Sequence, residues 1–584
     1  MLMWGRGPTV SVAIGDCVRR TLTVIGPVAL VGTLILAHPV RVQGVQAGQQ
    51  TISGADTAGW RMPPIDLPMP MLPGLIGAVP PVGPFTPGRG VDLSGLPEAI
   101  PSSVVEMADG DTLDLSVSLV RRKLRGRAYV MYGYNGQYPG PLIRADRGST
   151  VVVRVTNRIE LPTSVHWHGV RVDNRFDGVP GLTQAPIERG ETFTYEVHVP
   201  DAGMFWYHPH SREDVQQDLG LYGNLLVVSP RPDYLGPAHR EEVVILDDVL
   251  IDQRGMIPWG LESPTHALMG RFGTVMLLNG VPDYNLDVRR GEVVRFYFTN
   301  VANTRTFNIR FPGARLKLVG SDIGKFEREE WVESIPIAPA ERYIVDVRFD
   351  EPGRTPILNS IQAINHFRGE FYSQVDTLGV VRVSEDRAEV SVSRGFETLR
   401  SNDDVHSDIE PFRQHFDRAP DYELVTDTRV QNLPLDIVRS IEIDSLYIPP
   451  MEWNDAMPMI NWLSTGTQVT WILRDRATGA ENADIDWEFD QGDVVKIRVF
   501  NDPDGFHPMH HPIHIHGQRY LVLERDGVRN PNLVWKDTAV VPVGSTMDLL
   551  VEMSNPGDWA AHCHIAEHLH AGMMFQFTVR ENSR

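Results

Sequence analysis

The sequence predicts an all-β protein built as three β-sandwich domains. Three observations carry this. Gly and Pro are plentiful, 51 and 44 of 584 residues, which suits turn-rich β architecture better than helical bundles. Short alternating runs of apolar and polar residues recur along most of the chain. One design also appears three times, as RADRGSTVVVRVTN (144–157), DVRRGEVVRFYFTN (287–300) and EFDQGDVVKIRVFND (488–502). Each copy joins a polar turn containing Gly to a β-branched strand and then Asn, as if the domains were copies of one unit. A chain this long exceeds a single core, so several domains are expected.

Taken in order, residues 1–47 read as an export signal. Arg19 and Arg20 precede a largely apolar run from Thr21 to Ala37, and Val45-Gln46-Ala47 offers a small-residue cleavage site. Paired arginines before the apolar run point to twin-arginine export machinery, and so to a periplasmic or extracellular protein. Pro27 and two glycines argue against a membrane-spanning helix. Residues 48–102 hold eleven prolines between Pro63 and Pro101 and read as an extended arm or linker. Residues 103–232 form the first domain, with strands such as Thr150 to Val155 and Phe193 to Val199. Residues 235–385 repeat the style at Glu242 to Leu246, Glu292 to Phe298 and Arg342 to Phe349. Residues 386–440 are charged and read as an irregular connection. Residues 441–584 return to strands at Val494 to Val499, Tyr520 to Glu524 and Met547 to Met553.

A net charge of −21 argues against nucleic acid and anionic membrane surfaces as partners and favours neutral or cationic ones. The chain has two cysteines, Cys17 and Cys563. Cys17 would leave with the signal, so the exported chain has no internal disulfide. A lone thiol in an oxidising compartment needs a reason to be there, and metal ligation is one.

Ten of the twenty histidines fall in four tight clusters. They are His166-Trp167-His168, His208-Pro209-His210, His511-Pro512-Ile513-His514-Ile515-His516, and His562-Cys563-His564 with His568 after it. Residues two apart on a strand face the same way, so each His-x-His pair presents two imidazoles together. Four such pairs give eight rings, enough for two or three borderline-soft ions such as copper or zinc. Cys563 points the opposite way from its neighbours. His511 is out of phase with the paired rings, His568 lies past the turn, and Met573 follows in a Gly-Met-Met turn. Two histidines, a thiolate and a weak thioether make a blue-copper electron-transfer site. The peptide bonds of His562-Cys563-His564 would then join that site to the imidazole cluster. Zinc lacks redox chemistry and would not need such wiring.

These motifs resemble the multicopper oxidase family: HWHG (166–169), WYHPH (206–210), HPIHIHG (511–517) and HCHIAEHLHAGM (562–573) stand in that family's order. YNGQYPGPLIRADRG (134–148) and WKDTAVVPVGS (535–545) look like its framework segments. The likeness covers about residues 103–584 and is nearest to bacterial three-domain laccase-like and metal-oxidising members. It implies three cupredoxin-like Greek-key domains and four copper ions that carry electrons from a small reducing substrate to molecular oxygen. His511, Cys563 and His568 would hold the type 1 copper, with Met573 axial. His166 and His514 would hold the type 2 copper. His168, His208 and His564 would hold one type 3 copper, and His210, His516 and His562 the other. Asp177, in FDGVPG, matches the family's acid near the cluster. Some metal-oxidising relatives carry Glu just after the second type 1 histidine; here that residue is Leu569, and Glu567 on the other side of His568 is the candidate substitute. His239, His266 and His366 of the middle domain are scattered, which suits a spacer without ligands.

For the reducing substrate, a phenol or aromatic amine stands ahead of Cu(I) or another metal ion. Met509 matches a methionine of Cu(I)-oxidising members, but the matching aspartate position is His507. There is no long Met-rich insertion, only Met451, Met457 and Met459. A copper-binding resistance protein without turnover is the alternative of another class. A monomer is expected.

Overall fold

The computed structural model describes residues 84–253, 255–260, 266–365, 370–432, 438, 449–454 and 468–582. All lie in one compact unit, Gly59–Arg584. The expected export signal, the arm before residue 84, His366, Met457 and Met459 fall outside the described residues.

Apolar alternation lays the strands down. In Thr150–Asn157 the side chains of Val151, Val153 and Val155 are buried while Arg154 faces out. Strand Glu292–Asn300 is buried along its whole length, so its charged residues need partners. Arg295 finds one in Asp346, a bidentate pair at 2.7 and 2.9 Å.

The strands stack as three two-layer sandwiches. In the first, a five-stranded sheet runs in the order Val104–Met107, Leu142–Asp146, Gly223–Val228, Gly203–His208, His166–His168. It faces the four-stranded sheet Arg127–Tyr134, Thr112–Leu124, Thr150–Asn157, Thr192–His198. The middle sandwich has sheets of six and five strands within Arg240–Arg387, and the third has sheets of seven and five within Tyr422–Arg580. Parallel and antiparallel pairings mix in every sandwich, as crossovers between two layers require. The protein is all-β, with cupredoxin-like Greek-key sandwiches.

The repeated motif has one structural task in all three copies. Its final asparagine is buried at the strand end and latches two loops. Asn157 donates through Nδ2 to the carbonyls of Leu161 and Ile187, both at 2.8 Å. Asn300 does the same to Arg305 and Ile337, both at 2.8 Å. Asn501 donates to Met509 (2.7 Å) and Val541 (3.0 Å). In the third sandwich the latch therefore grips the chain just before His511.

Residues 386–440 differ from the irregular connection expected. They hold helices Val390–Phe396 and Asp403–Ile409, a 3-10 turn Glu410–His415 and strand Tyr422–Val430. That strand pairs with Val469–Asp475 and Asp493–Asn501, so the third sandwich begins at Tyr422 rather than 441. Its inward residues include Thr426 and Thr428, and Thr426 donates to Asn501 Oδ1 at 2.8 Å. The described end of the arm, from residue 84, is tied to the rest of the fold. Pro84–Phe85 pairs with Trp259–Gly260, and Ala99 N–H donates to the Arg121 carbonyl at 2.8 Å.

Candidate metal centre

Two antiparallel strand pairs bring the histidines together. In the first sandwich His166–His168 runs beside Gly203–His208, with His166 opposite His208 and His168 opposite Trp206. In the third, His511–Ile515 runs beside Gly557–Cys563, with His514 opposite His562 and Ile513 opposite Cys563. Strand parity then separates the donors into two groups. The eight paired imidazoles converge between the first and third sandwiches, and Cys563 joins His511 and His568 on the other side of its strand.

In the imidazole group, ring nitrogens face one another at short range. His516 Nε2 lies 2.9 Å from His562 Nε2, His210 Nε2 lies 3.4 Å from the same atom, and His166 Nε2 lies 3.4 Å from His514 Nε2. His168, His208 and His564 sit together with ring centroids 4.9–5.7 Å apart. Seven rings have their other nitrogen tied to an acceptor, which fixes the N–H outward and leaves a bare lone pair inward. Nδ1 of His166, His208, His514 and His562 donates to the carbonyls of Asp177, Pro209, Asp537 and Cys563 at 2.8–2.9 Å. Carboxylates take the others: Asp177 Oδ2 accepts from His516 Nδ1 at 2.9 Å and Asp537 Oδ1 from His168 Nε2 at 3.0 Å, while His210 Nδ1 forms an ion pair with Glu213 Oε1 at 2.9 Å. His168 Nδ1, His208 Nε2 and both nitrogens of His564 are buried with no hydrogen-bond partner.

Burial, reinforced by neighbouring rings, holds His168, His208, His514, His516 and His562 well below the usual imidazole range, and His564 down to about 3. His210 is different. Burial pulls it down, but Glu213 more than offsets this and raises it. The six rings so lowered are kept neutral, and lone pairs turned inward repel one another unless a cation lies among them. That is a donor set for borderline-soft metal ions.

The second group is a triangle. Cys563 Sγ lies 3.4 Å from His511 Nδ1 and 3.7 Å from His568 Nδ1, and the two nitrogens are 3.3 Å apart. The centre of such a triangle is about 2 Å from each corner, the length of a metal–imidazole bond and slightly short of a metal–thiolate one. Burial pushes the Cys563 thiol up and His511 and His568 well down, so the site asks for a cation to hold the thiolate. Met573 is buried and closes the loop carrying His568. Its N–H donates to the His568 carbonyl at 3.0 Å and its own carbonyl accepts the Cys563 N–H at 3.2 Å. One thiolate with two imidazoles suits copper.

Asp177 is fully buried and touches rings from both sandwiches: besides His516, its Oδ1 lies 3.2 Å from His166 Nδ1. Glu567 is buried and turns its carboxylate to the middle sandwich. Its two oxygens accept from Asn303 Nδ2 and Thr304 Oγ1 of the middle sandwich, both at 3.0 Å. Burial raises its carboxyl to about 7. Met509 and His507 are also buried.

Sequence reasoning missed four residues. Asp537 holds one ring through its side chain and another through its backbone, and was seen only as part of a framework segment. Glu213 bridges His210 to the partly exposed His570. His210 and His570 hold Glu213 ionised against its burial. Its place three residues after His210 was the available signal. Trp206 stacks on His208 (4.1 Å, 19°) and Trp471 on His568 (3.9 Å, 27°), contacts with no periodic signature.

Three family models described as multicopper oxidase match residues 116–232, 244–377 and 454–583. A copper resistance protein A homolog of Pseudomonas syringae pv. tomato is 25% identical over 558 residues, covering 81% of this chain and 93% of that protein. Laccase-1 of Cryptococcus neoformans var. neoformans is 26% identical over 511 residues, covering 78% and 77%. Among solved structures, a multicopper oxidase from Campylobacter jejuni described as a metallo-oxidase superposes with a TM-score of 0.62 at 21% identity, covering 86% of this chain and 99% of that one.

Proposed function

Because this chain belongs to the multicopper oxidase family, and is thus a copper-dependent oxidoreductase with oxygen as acceptor, we propose that its reducing substrate is a phenol or aromatic amine, as in a laccase. The observation that carries the electron path is the run His562-Cys563-His564, one strand end with a thiol on one face and two cluster imidazoles on the other. His511, Cys563 and His568 would hold one copper, with Met573 as a further, weak thioether donor. His166 and His514 would hold a second. His168, His208 and His564 would hold a third, and His210, His516 and His562 a fourth. Copper bound there supplies one-electron chemistry and the means to reduce oxygen.

The chain's own residues do the rest. Cys563 links covalently to both neighbouring histidines, giving electrons a short bonded route. Carbonyls and carboxylates outside the rings fix each tautomer, so the inward nitrogens need no rearrangement. Asp177, in contact with His166 and His516, is the carboxylate placed to pass protons to the cluster, because oxygen becomes water only with proton supply. Burial of the whole donor set excludes bulk water from it.

Met509 supports the phenol reading over the Cu(I) one. It is packed in the apolar core of the third sandwich, and its thioether is not presented at the surface. A cuprous-oxidase reading is favoured by the copper resistance relative. Oxygen uptake by the copper-loaded protein decides, with a dimethoxyphenol, Cu(I), Fe(II) and Mn(II) as donors. Fastest turnover of the phenol is expected. Fastest turnover of Cu(I), lost in Met509→Leu, would replace it with the cuprous reading. No uptake with any donor would leave a copper-binding protein without turnover. Export to the periplasm or beyond is part of the same proposal and rests on Arg19, Arg20 and the apolar run after them.

A further inference from the structure

Among the described residues the middle sandwich supplies none of the converging donors, yet one of its side chains reaches them. Arg342 opens strand Arg342–Phe349 and is fully buried. Its Nη1 and Nη2 grip Asp537 Oδ1 and Oδ2 at 2.7 and 2.5 Å, a fork-to-fork pair. Its Nε donates to the Met204 carbonyl at 2.8 Å, on the strand that ends at His208. Its backbone N–H is held by Asp322 Oδ1 at 2.8 Å. One guanidinium thus touches all three sandwiches.

Asp537 passes the constraint on. Its Oδ1 accepts from His168 Nε2 at 3.0 Å, and its carbonyl accepts from His514 Nδ1 at 2.8 Å. Those rings come from the first and third sandwiches and stack at 3.8 Å and 17°. The carboxylate meets the outward nitrogen of His168, so it orients that ring rather than competing for the ion. Gly169, which ends the HWHG motif, fits the same arrangement. It has φ +81°, and a Cβ there would lie 2.3 Å from Asp537 Oδ2 and 2.8 Å from Arg342 Nη2.

We propose that Arg342 is a positioning residue for the imidazole cluster: through Asp537 it fixes the orientation of His168 and His514, so the middle sandwich sets the cluster geometry without donating a ligand. This rests on the copper reading of the cluster. Partners that orient metal-binding histidines typically change metal affinity by about 10–100-fold when lost. Lysine keeps the charge but cannot form the fork. Arg295→Lys is the control, since Arg295 and Asp346 form an equally buried bidentate pair within the middle sandwich.

The test loads copper into wild type, Arg342→Lys and Arg295→Lys, then measures copper per chain against a competing chelator and the electron paramagnetic resonance spectrum. Arg342→Lys should lose cluster copper about 10–100-fold more easily. It should also alter the signal of copper at His166 and His514, while keeping the visible absorption of the Cys563 site. Arg295→Lys should do neither. Full cluster copper with an unchanged spectrum in Arg342→Lys overturns the proposal, and so does equal loss in both variants. If Arg342→Lys does not fold, Asp537→Glu keeps the charge and shifts the carboxylate by one methylene. The same selective loss is then expected, and an unchanged spectrum overturns the idea. Failure of wild type itself to bind copper would instead sink the reading of the cluster.

Discussion

Glu567 is buried with two neutral donors, Asn303 and Thr304, on its carboxylate, and this makes a measurable pH dependence. Burial is the main reason its carboxyl rises from 4.5 to about 7, with Asp214 and Asp218 adding to the push. A raised carboxyl is no handicap below the unfolded value, where both states hold the proton. As pH climbs from 4.5 through 7 the folded state must ionise an unfavourable group, so stability falls over that window. The shift amounts to about 3 kcal/mol, at roughly 1.4 kcal/mol per unit. Glu567→Gln removes the ionisation and keeps the shape. Measured on copper-free protein by urea unfolding at pH 4 and pH 9, wild type should lose about 3 kcal/mol more than the variant between the two values. Taking the difference of differences cancels the other titrating groups and the lost acceptor. Infrared spectroscopy provides a direct reading. A buried carboxylic carbonyl band should titrate near 7 in wild type and be missing from Glu567→Gln. Identical pH dependence in the two proteins, or a band titrating near 4.5, would refute the reasoning.

Two further outcomes follow from the same geometry. Cys563→Ser should abolish the intense visible absorption of the copper–thiolate bond and stop donor oxidation, while copper at the eight paired imidazoles remains detectable by metal analysis. Gly517→Ala should lower the calorimetric transition of the third sandwich. Gly517 has φ +65°, and a Cβ there would lie 2.4 Å from the buried Trp559 ring. Left-handed strain plus overpacking comes to about 2–4 kcal/mol, or roughly 5–10 °C, and an unshifted transition would contradict it.

Much of the site was legible because strands have a period of two. The division of Cys563 from His562 and His564 is arithmetic on three consecutive letters, and the structure brings the three residues of the triangle within 3.7 Å of one another. What could not be read were contacts between distant segments. Arg342 and Asp537 are 195 positions apart, and nothing in either neighbourhood announces the other. Strand Tyr422–Val430 hid for another reason. Two of its inward positions are threonines, so a hydrophobic pattern was too faint to separate it from the charged stretch before it. Glu567 shows the limit of adjacency: it stands next to His568 in sequence, yet its carboxylate meets Asn303 and Thr304 of another domain.

The asparagine latch separates closing a loop from holding an ion. Asn157, Asn300 and Asn501 make equivalent pairs of bonds in sandwiches of which, among the described residues, two furnish converging donors. The middle copy keeps the latch with no part in the converging donor set, so the latch serves the loop and not an ion. In the third copy the latch grips the Met509 carbonyl, two residues before His511. There a device for closing a loop also holds the backbone that carries one corner of the Cys563 triangle.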